Sequence, residues 1–141
     1  MLNHNAAAMI SKIKEAVNTL IVSELERNGI EGIVPSHGDI LVFLYQKDGL
    51  SVKELAEKIH RTQPTVTVLV NKLENQGYVK RLKREEDSRI TSIMLTEKGI
   101  QLKPIFQDIS DKINDTIYGG LSETEKRQLE FLLEHIYRRF E

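Results

Sequence analysis

The stretch Ser51-Val52-Lys53-Glu54-Leu55-Ala56-Glu57-Lys58-Ile59-His60-Arg61-Thr62-Gln63-Pro64-Thr65-Val66-Thr67-Val68-Leu69-Val70-Asn71-Lys72-Leu73-Glu74-Asn75-Gln76-Gly77 decides the fold. Ser51 and Glu54 stand three apart ahead of an apolar stripe, the spacing of a capping box. The Ser51 hydroxyl and the Glu54 carboxylate each satisfy a backbone amide that has no partner inside the helix. Leu55, Ala56 and Ile59 then form the buried stripe of a short helix. After His60-Arg61, Thr62 offers a second cap. Gln63 and Pro64 fall in the next helix's first turn, where proline is tolerated because those amides lack intrahelical acceptors anyway. That helix is predicted to run to about Gln76, with Gly77 as its left-handed stop.

The second of these helices has two chemically different faces. At 100° per residue, Val66, Leu69, Val70 and Leu73 cluster on one side. Pro64, Val68, Asn71 and Asn75 fall opposite, with Thr67 and Lys72 flanking. One face is core; the other offers small polar groups, a lysine and one exposed valine. That outer face suits a DNA major groove. Asparagine pairs bidentately with adenine, threonine donates or accepts, and an apolar side chain meets the thymine methyl. Val68 and Asn71 are the expected base readers. Gln63 is placed to reach a base edge or a phosphate, while Thr65 and Lys72 read as backbone contacts.

Working outward, residues 78–84 and 89–95 read as two short strands around the polar turn Glu85-Glu86-Asp87-Ser88. Lys80, Arg81, Lys83, Arg84 and Arg89 cannot all be core residues, so their charges must reach water or a partner. A narrow minor groove attracts arginine through its negative potential. Arg89, just past the acidic tip, is the best candidate for insertion, and Asp87 can orient its guanidinium through a bidentate pair.

The flanks are helical. Ile10, Ile13, Val17, Leu20, Ile21 and Leu25 recur at helical spacing over 6–27, and Asn28-Gly29 stops that helix. Ser36 is the expected cap of the next one, which contains Ile40, Leu41, Phe43 and Leu44. Thr96 caps a further helix whose stripe is Leu102, Ile105, Ile109, Ile113 and Ile117. Pro104 sits too deep for a free first-turn position, so a kink or a delayed start is expected. Ser122 and Glu125 open the last helix, lined by Leu129, Leu132, Leu133, Ile136, Tyr137 and Phe140. A frayed end normally carries no large aromatics, so Tyr137 and Phe140 point to burial against a second subunit or against the same chain.

Composition narrows the function classes. The 141 residues carry a net charge of −1, but residues 60–84 hold six basic groups and one acidic. Phosphate binding depends on such a local patch rather than on the total. Absence of cysteine rules out disulfides, thiolate catalysis, thiol redox sensing and cysteine-ligated zinc. No run approaches the roughly 20 apolar residues of a membrane span, and no signal-peptide pattern opens the chain; a cytoplasmic location without membrane association is expected. No glycine-rich phosphate loop or clustered acid/base set suggests an enzyme, and no cofactor is implied.

The run 51–67, the run Val70-Asn71-Lys72-Leu73-Glu74-Asn75-Gln76-Gly77-Tyr78-Val79-Lys80-Arg81, then Asp87-Ser88-Arg89 and Leu95-Thr96-Glu97-Lys98-Gly99 resemble the MarR family of winged helix-turn-helix regulators. The resemblance extends over nearly the whole chain. It implies a mostly α fold of about six helices and a β-hairpin wing, with N- and C-terminal dimerisation helices. Within one domain, 1–141, the DNA-binding lobe would be 36–98 and the helical dimerisation region 1–34 and 100–141. It further implies an obligate homodimer that binds a palindromic double-stranded operator and represses, with a small-molecule effector relieving repression. Asp87 and Arg89 match the family's aspartate-x-arginine wing motif. By the same resemblance, effector-cavity residues lie in 9–21, 37–45 and 102–113. The expected DNA-binding set is Gln63, Pro64, Thr65, Thr67, Val68, Asn71, Lys72, Arg81, Lys83, Arg84, Asp87 and Arg89. Two alternatives stand beside it: a winged-helix protein-interaction module without DNA binding, and a metal-responsive regulator built around His37 and Asp39 with Glu24 or Glu31.

Overall fold

The computed structural model describes all 141 residues, which form two compact units, 1–109 and 110–141. The first unit opens with α1 (Ala6–Arg27), α2 (Pro35–Gln46), α3 (Val52–Ile59) and α4 (Gln63–Asn75). A hairpin of β1 (Val79–Lys83) and β2 (Thr91–Leu95) follows, then α5 (Glu97–Gln101) and the start of α6 (Lys103–Tyr118). The second unit holds the rest of α6 and α7 (Glu123–Arg138). The architecture is a mostly helical winged helix-turn-helix. The helix expected after Thr96 is in two pieces: α5 ends at Gln101, and α6 restarts at Lys103, beside Pro104.

The helix pair forms where local chemistry demands it. Ser51 Oγ accepts from the Glu54 amide at 3.1 Å, and Glu54 Oε1 accepts from the Ser51 amide at 3.0 Å. His60 ends α3 in the left-handed conformation, φ 57°, which swings the chain into the turn before α4. Thr62 Oγ1 accepts from the Thr65 amide at 3.3 Å. Gly77, φ 82°, closes α4 in a conformation that a side chain with a Cβ rarely adopts.

The expected cap at Ser36 is not observed. The helix begins two residues earlier, with Val34 in the cap position and Pro35 at its start. His37 Nδ1 accepts from the Val34 amide at 3.0 Å, the part that a glutamate takes three residues into a capping box, and no side chain caps the helix from the Val34 position. His37 is buried, and that burial, with Lys72 nearby, lowers its pKa and favours the neutral ring this bond requires. The strands are also shorter than expected, although the Arg84 amide still donates across the hairpin to the Ile90 carbonyl at 2.9 Å.

The core joins α2, α3, α4 and the hairpin. Ile40, Leu41, Leu55, Val66, Val70, Leu73 and Ile93 have no measurable exposure. Strands β1 and β2 are antiparallel, with Val79 opposite Leu95 and Lys83 opposite Thr91, and Leu50 bridges to Ile93. Phe106 is core: its ring lies 6.2 Å from that of Tyr45 and packs where a Cβ on Gly38 would otherwise sit. Tyr45 donates to the Gly99 carbonyl at 2.7 Å, tying α2 to α5. Because Leu73 is sealed between these layers, Leu73→Ala is expected to cost about 2–5 kcal/mol, as a cavity adds to the lost transfer energy. A urea titration monitored by circular dichroism would read this as a lower midpoint.

Candidate nucleic-acid interface

The outer face of α4 is open. Gln63, Pro64, Thr65, Thr67, Val68, Asn71 and Lys72 are all exposed, while Val66, Val70 and Leu73 point inward. Val68 is 66% exposed, a large figure for a valine in mid-helix. Packing within the chain therefore does not account for it. Among the polar groups, Thr65 Oγ1 accepts from the Thr62 hydroxyl at 2.9 Å, which leaves its own proton available outward.

The hairpin sorts its cations into two kinds. Lys83 and Arg89 are exposed, whereas Arg81 and Arg84 are half-buried and engaged. Arg84 reaches back 30 residues in sequence to pair with Glu54, and also donates to Ser92 Oγ at 2.9 Å and the Gly49 carbonyl at 3.1 Å. Four segments meet at this guanidinium, so it braces the wing against the start of α3. Arg81 pairs with Glu74 and donates to Asn71 Oδ1 at 2.7 Å, joining the base of the wing to α4.

At the wing tip, Arg89 Nε and Nη2 donate to the two carboxylate oxygens of Asp87, each at 3.0 Å. The Arg89 amide also donates to Asp87 Oδ1 at 3.0 Å. The Asp87 side chain is 28% exposed and that of Arg89 88%. The aspartate is thus the fixed half of the fork and the arginine the presented half. Hydrogen bonds from Arg89 hold the Asp87 carboxyl below its usual pKa, so the pair remains charged at neutral pH.

Glu54 carries a pH signature. The Ser51 amide, then Arg84, hold its pKa down to about 2 from 4.5. A depressed carboxylate stabilises the fold fully above its unfolded value and loses that contribution as pH falls through the folded one. The stability of the first unit is therefore expected to decline between about pH 4.5 and 2, with a shallower decline in Glu54→Gln. Thermal melts across that window would show it. The side chain is more than a third exposed, so solvent screening keeps the effect modest.

Sequence reading missed the Arg84 brace and the Arg81 bridge, since neither partner lies at a helical or strand spacing. It also missed Asp48, whose Oδ1 accepts from the Leu95 amide at 2.9 Å and the Gly49 amide at 3.0 Å. No group of three or more His, Asp or Glu side chains is arranged to hold a metal ion. No helix is long and apolar enough to cross a membrane.

A capped helix pair, an open polar face on the second helix and a braced basic hairpin define a winged helix-turn-helix protein. The model of the MarR family matches residues 33–91. The regulator SarZ of Staphylococcus haemolyticus is 33% identical over 97 residues, covering 69% of this chain and 65% of SarZ. TtmR of Methylorubrum extorquens is 41% identical over 92 residues, 64% of this chain and 45% of TtmR. The chain thus spans less than two thirds of the length of both relatives. Among solved structures, the S. aureus MepR–DNA complex superposes with a TM-score of 0.86 at 28% identity, covering 99% of each chain. The chain is thus similar to the MarR family in sequence over residues 33–91, and to a solved winged regulator–DNA complex in fold along its length.

Proposed function

We propose that this protein is a homodimeric, sequence-specific regulator of transcription that binds a palindromic double-stranded operator and represses, with a small ligand relieving repression. The observation that carries the reading is the open face of α4 beside the Asp87–Arg89 fork: Val68 is exposed in mid-helix, and Arg89 is presented on a fixed carboxylate. Helix α4 would enter the major groove, with Gln63, Pro64, Thr67, Val68 and Asn71 toward base edges and Thr65 and Lys72 toward phosphates. Arg89 would enter the adjacent minor groove, Lys83 would meet the backbone, and Arg81 and Arg84 would hold the wing at its working angle. That MepR, 28% identical and of the same fold, was solved as a DNA complex supports this pose.

Dimerisation is supported by apolar surface that the single chain leaves open. Met9, Ile10 and Ile13 are exposed on α1. On α7, Phe131, Leu132, Leu133, Ile136 and Tyr137 are exposed, as is Phe140 just beyond it. No residue of α7 is buried. Burial of Tyr137 and Phe140 against the same chain is thus not what the structure shows, and a second copy is the occupant the sequence pattern anticipates. Two copies also supply the two reading heads that half-sites one helical turn apart require.

Ligand relief would have its seat on α1. A groove of about 400 Å³ is lined there by Glu15, Asn18, Thr19, Val22, Ser23, Glu26 and Pro35. Asn18 Oδ1 is shielded from solvent without a hydrogen-bond partner. A ligand acts only if it binds the DNA-fitting and non-fitting states with different affinity.

Selection of bound duplexes from a random pool tests the reading. A palindromic consensus with two half-sites about 10 base pairs apart is the expected product. Retention of no duplex above background at physiological salt would reject it in favour of a protein-interaction role.

A further inference from the structure

We infer that Arg81 is a positioning residue for sequence readout: it fixes which edge of the Asn71 carboxamide faces the DNA. The inference rests on the major-groove reading of α4 proposed above and specifies what that helix recognises.

Asn71 and Glu74 lie one turn apart on α4, and Arg81 lies on β1 beside them. The Arg81 guanidinium is held at both ends, with Nη1 on the Glu74 carboxylate and Nη2 on Asn71 Oδ1 at 2.7 Å. Arginine has only donors. A carboxamide meeting it must therefore present oxygen, whatever else the side chain could do. The Glu74 pair prevents the guanidinium from swinging away, and the position of Arg81 opposite Ile93 in the hairpin fixes its origin. With the oxygen committed to Arg81, the free edge of Asn71 is its Nδ2, which donates to no group in the chain and sits on the exposed face.

This changes the expected readout. A freely turning asparagine pairs bidentately with adenine, accepting from N6 and donating to N7. An asparagine held with its amide nitrogen outward reads chiefly as a donor, because its oxygen, though it keeps one lone pair, is tied to Arg81. Adenine N7, guanine N7 and O6, and thymine O4 accept from it; cytosine presents an amino donor and does not. The base read by Asn71 is then one position in each half-site where cytosine is excluded and A, G and T are tolerated.

The test is selection from a random duplex pool with the full chain and the variants Arg81→Met, Arg81→Gln, Arg81→Lys, Asn71→Ala and the double variant Asn71→Ala/Arg81→Met. Wild type is expected to exclude cytosine at one half-site position without strong preference for adenine. Asn71→Ala should become indifferent there. Arg81→Met should shift that position toward adenine by about tenfold, the scale of a gained bidentate contact. Should the methionine variant fail to fold, Arg81→Gln keeps the test: its own oxygen can accept from the Asn71 amide, turning the Asn71 oxygen outward, so the position should admit cytosine, whose N4 donates. Arg81→Lys, again donor-only, should keep the wild-type pattern, and the double variant should match Asn71→Ala. An unaltered base preference in both Arg81→Met and Arg81→Gln would overturn the inference, as would an adenine shift that persists without Asn71. If wild type retains no duplex at all, the DNA reading itself fails, an outcome distinct from either.

Discussion

Val68→Glu is expected to lower affinity for the selected duplex by about 100-fold or more while leaving the fold intact. The side chain is 66% exposed and no internal contact depends on it, so the change is a surface substitution with an expected stability effect within about 0.5 kcal/mol. At the centre of the reading face, the same change replaces an apolar contact with a carboxylate pressed toward DNA phosphates. Like-charge juxtaposition at an interface costs several kcal/mol, and each 1.4 kcal/mol is about tenfold. Fluorescence anisotropy against a labelled duplex, paired with a thermal melt, separates the two effects. Lost affinity with an unchanged melt supports the account; retained affinity removes α4 from the groove.

Arg89→Ala is expected to weaken binding by about tenfold or more and to reduce the salt dependence. The Asp87–Arg89 fork is exposed, and exposed pairs contribute little to stability, so the protein should melt as wild type does. For DNA the loss is twofold. The presented cation goes, and the Asp87 carboxylate it neutralised is left facing a negative groove. Each cation that neutralises a phosphate adds about one to the slope of log K against log salt, so the slope should fall by about one per wing. Affinity and slope unchanged from 50 to 200 mM salt would reduce the wing tip to decoration.

The helix pair was legible because its signals are local. The Ser51–Glu54 box, the Thr62 cap and the Gly77 stop each act within a turn, and a 100° step separated Val66, Val70 and Leu73 from Val68 and Asn71. The Asp87–Arg89 fork was legible for the same reason, its partners being two residues apart. What sequence did not reveal is long in range. Arg84 looked like one more cation seeking phosphate, yet its partner Glu54 is 30 residues away and already explained by capping. Arg81 likewise bridges to Asn71 and Glu74 through the turn that brings β1 back to α4. The start of α2 was misread because no side chain caps it: Val34 holds the cap position, and His37 secures the Val34 amide from within the first turn.

The central claim is that α4 and the wing tip engage one duplex together. Hydroxyl-radical footprinting for the minor groove, paired with dimethyl sulfate protection of guanine N7 for the major groove, tests it directly on a selected duplex. Two protected major-groove segments one helical turn apart are expected, flanked by minor-groove protection that Arg89→Ala abolishes while the major-groove protection persists. Protection that ignores the minor groove, or flanks that survive without the arginine, would contradict it.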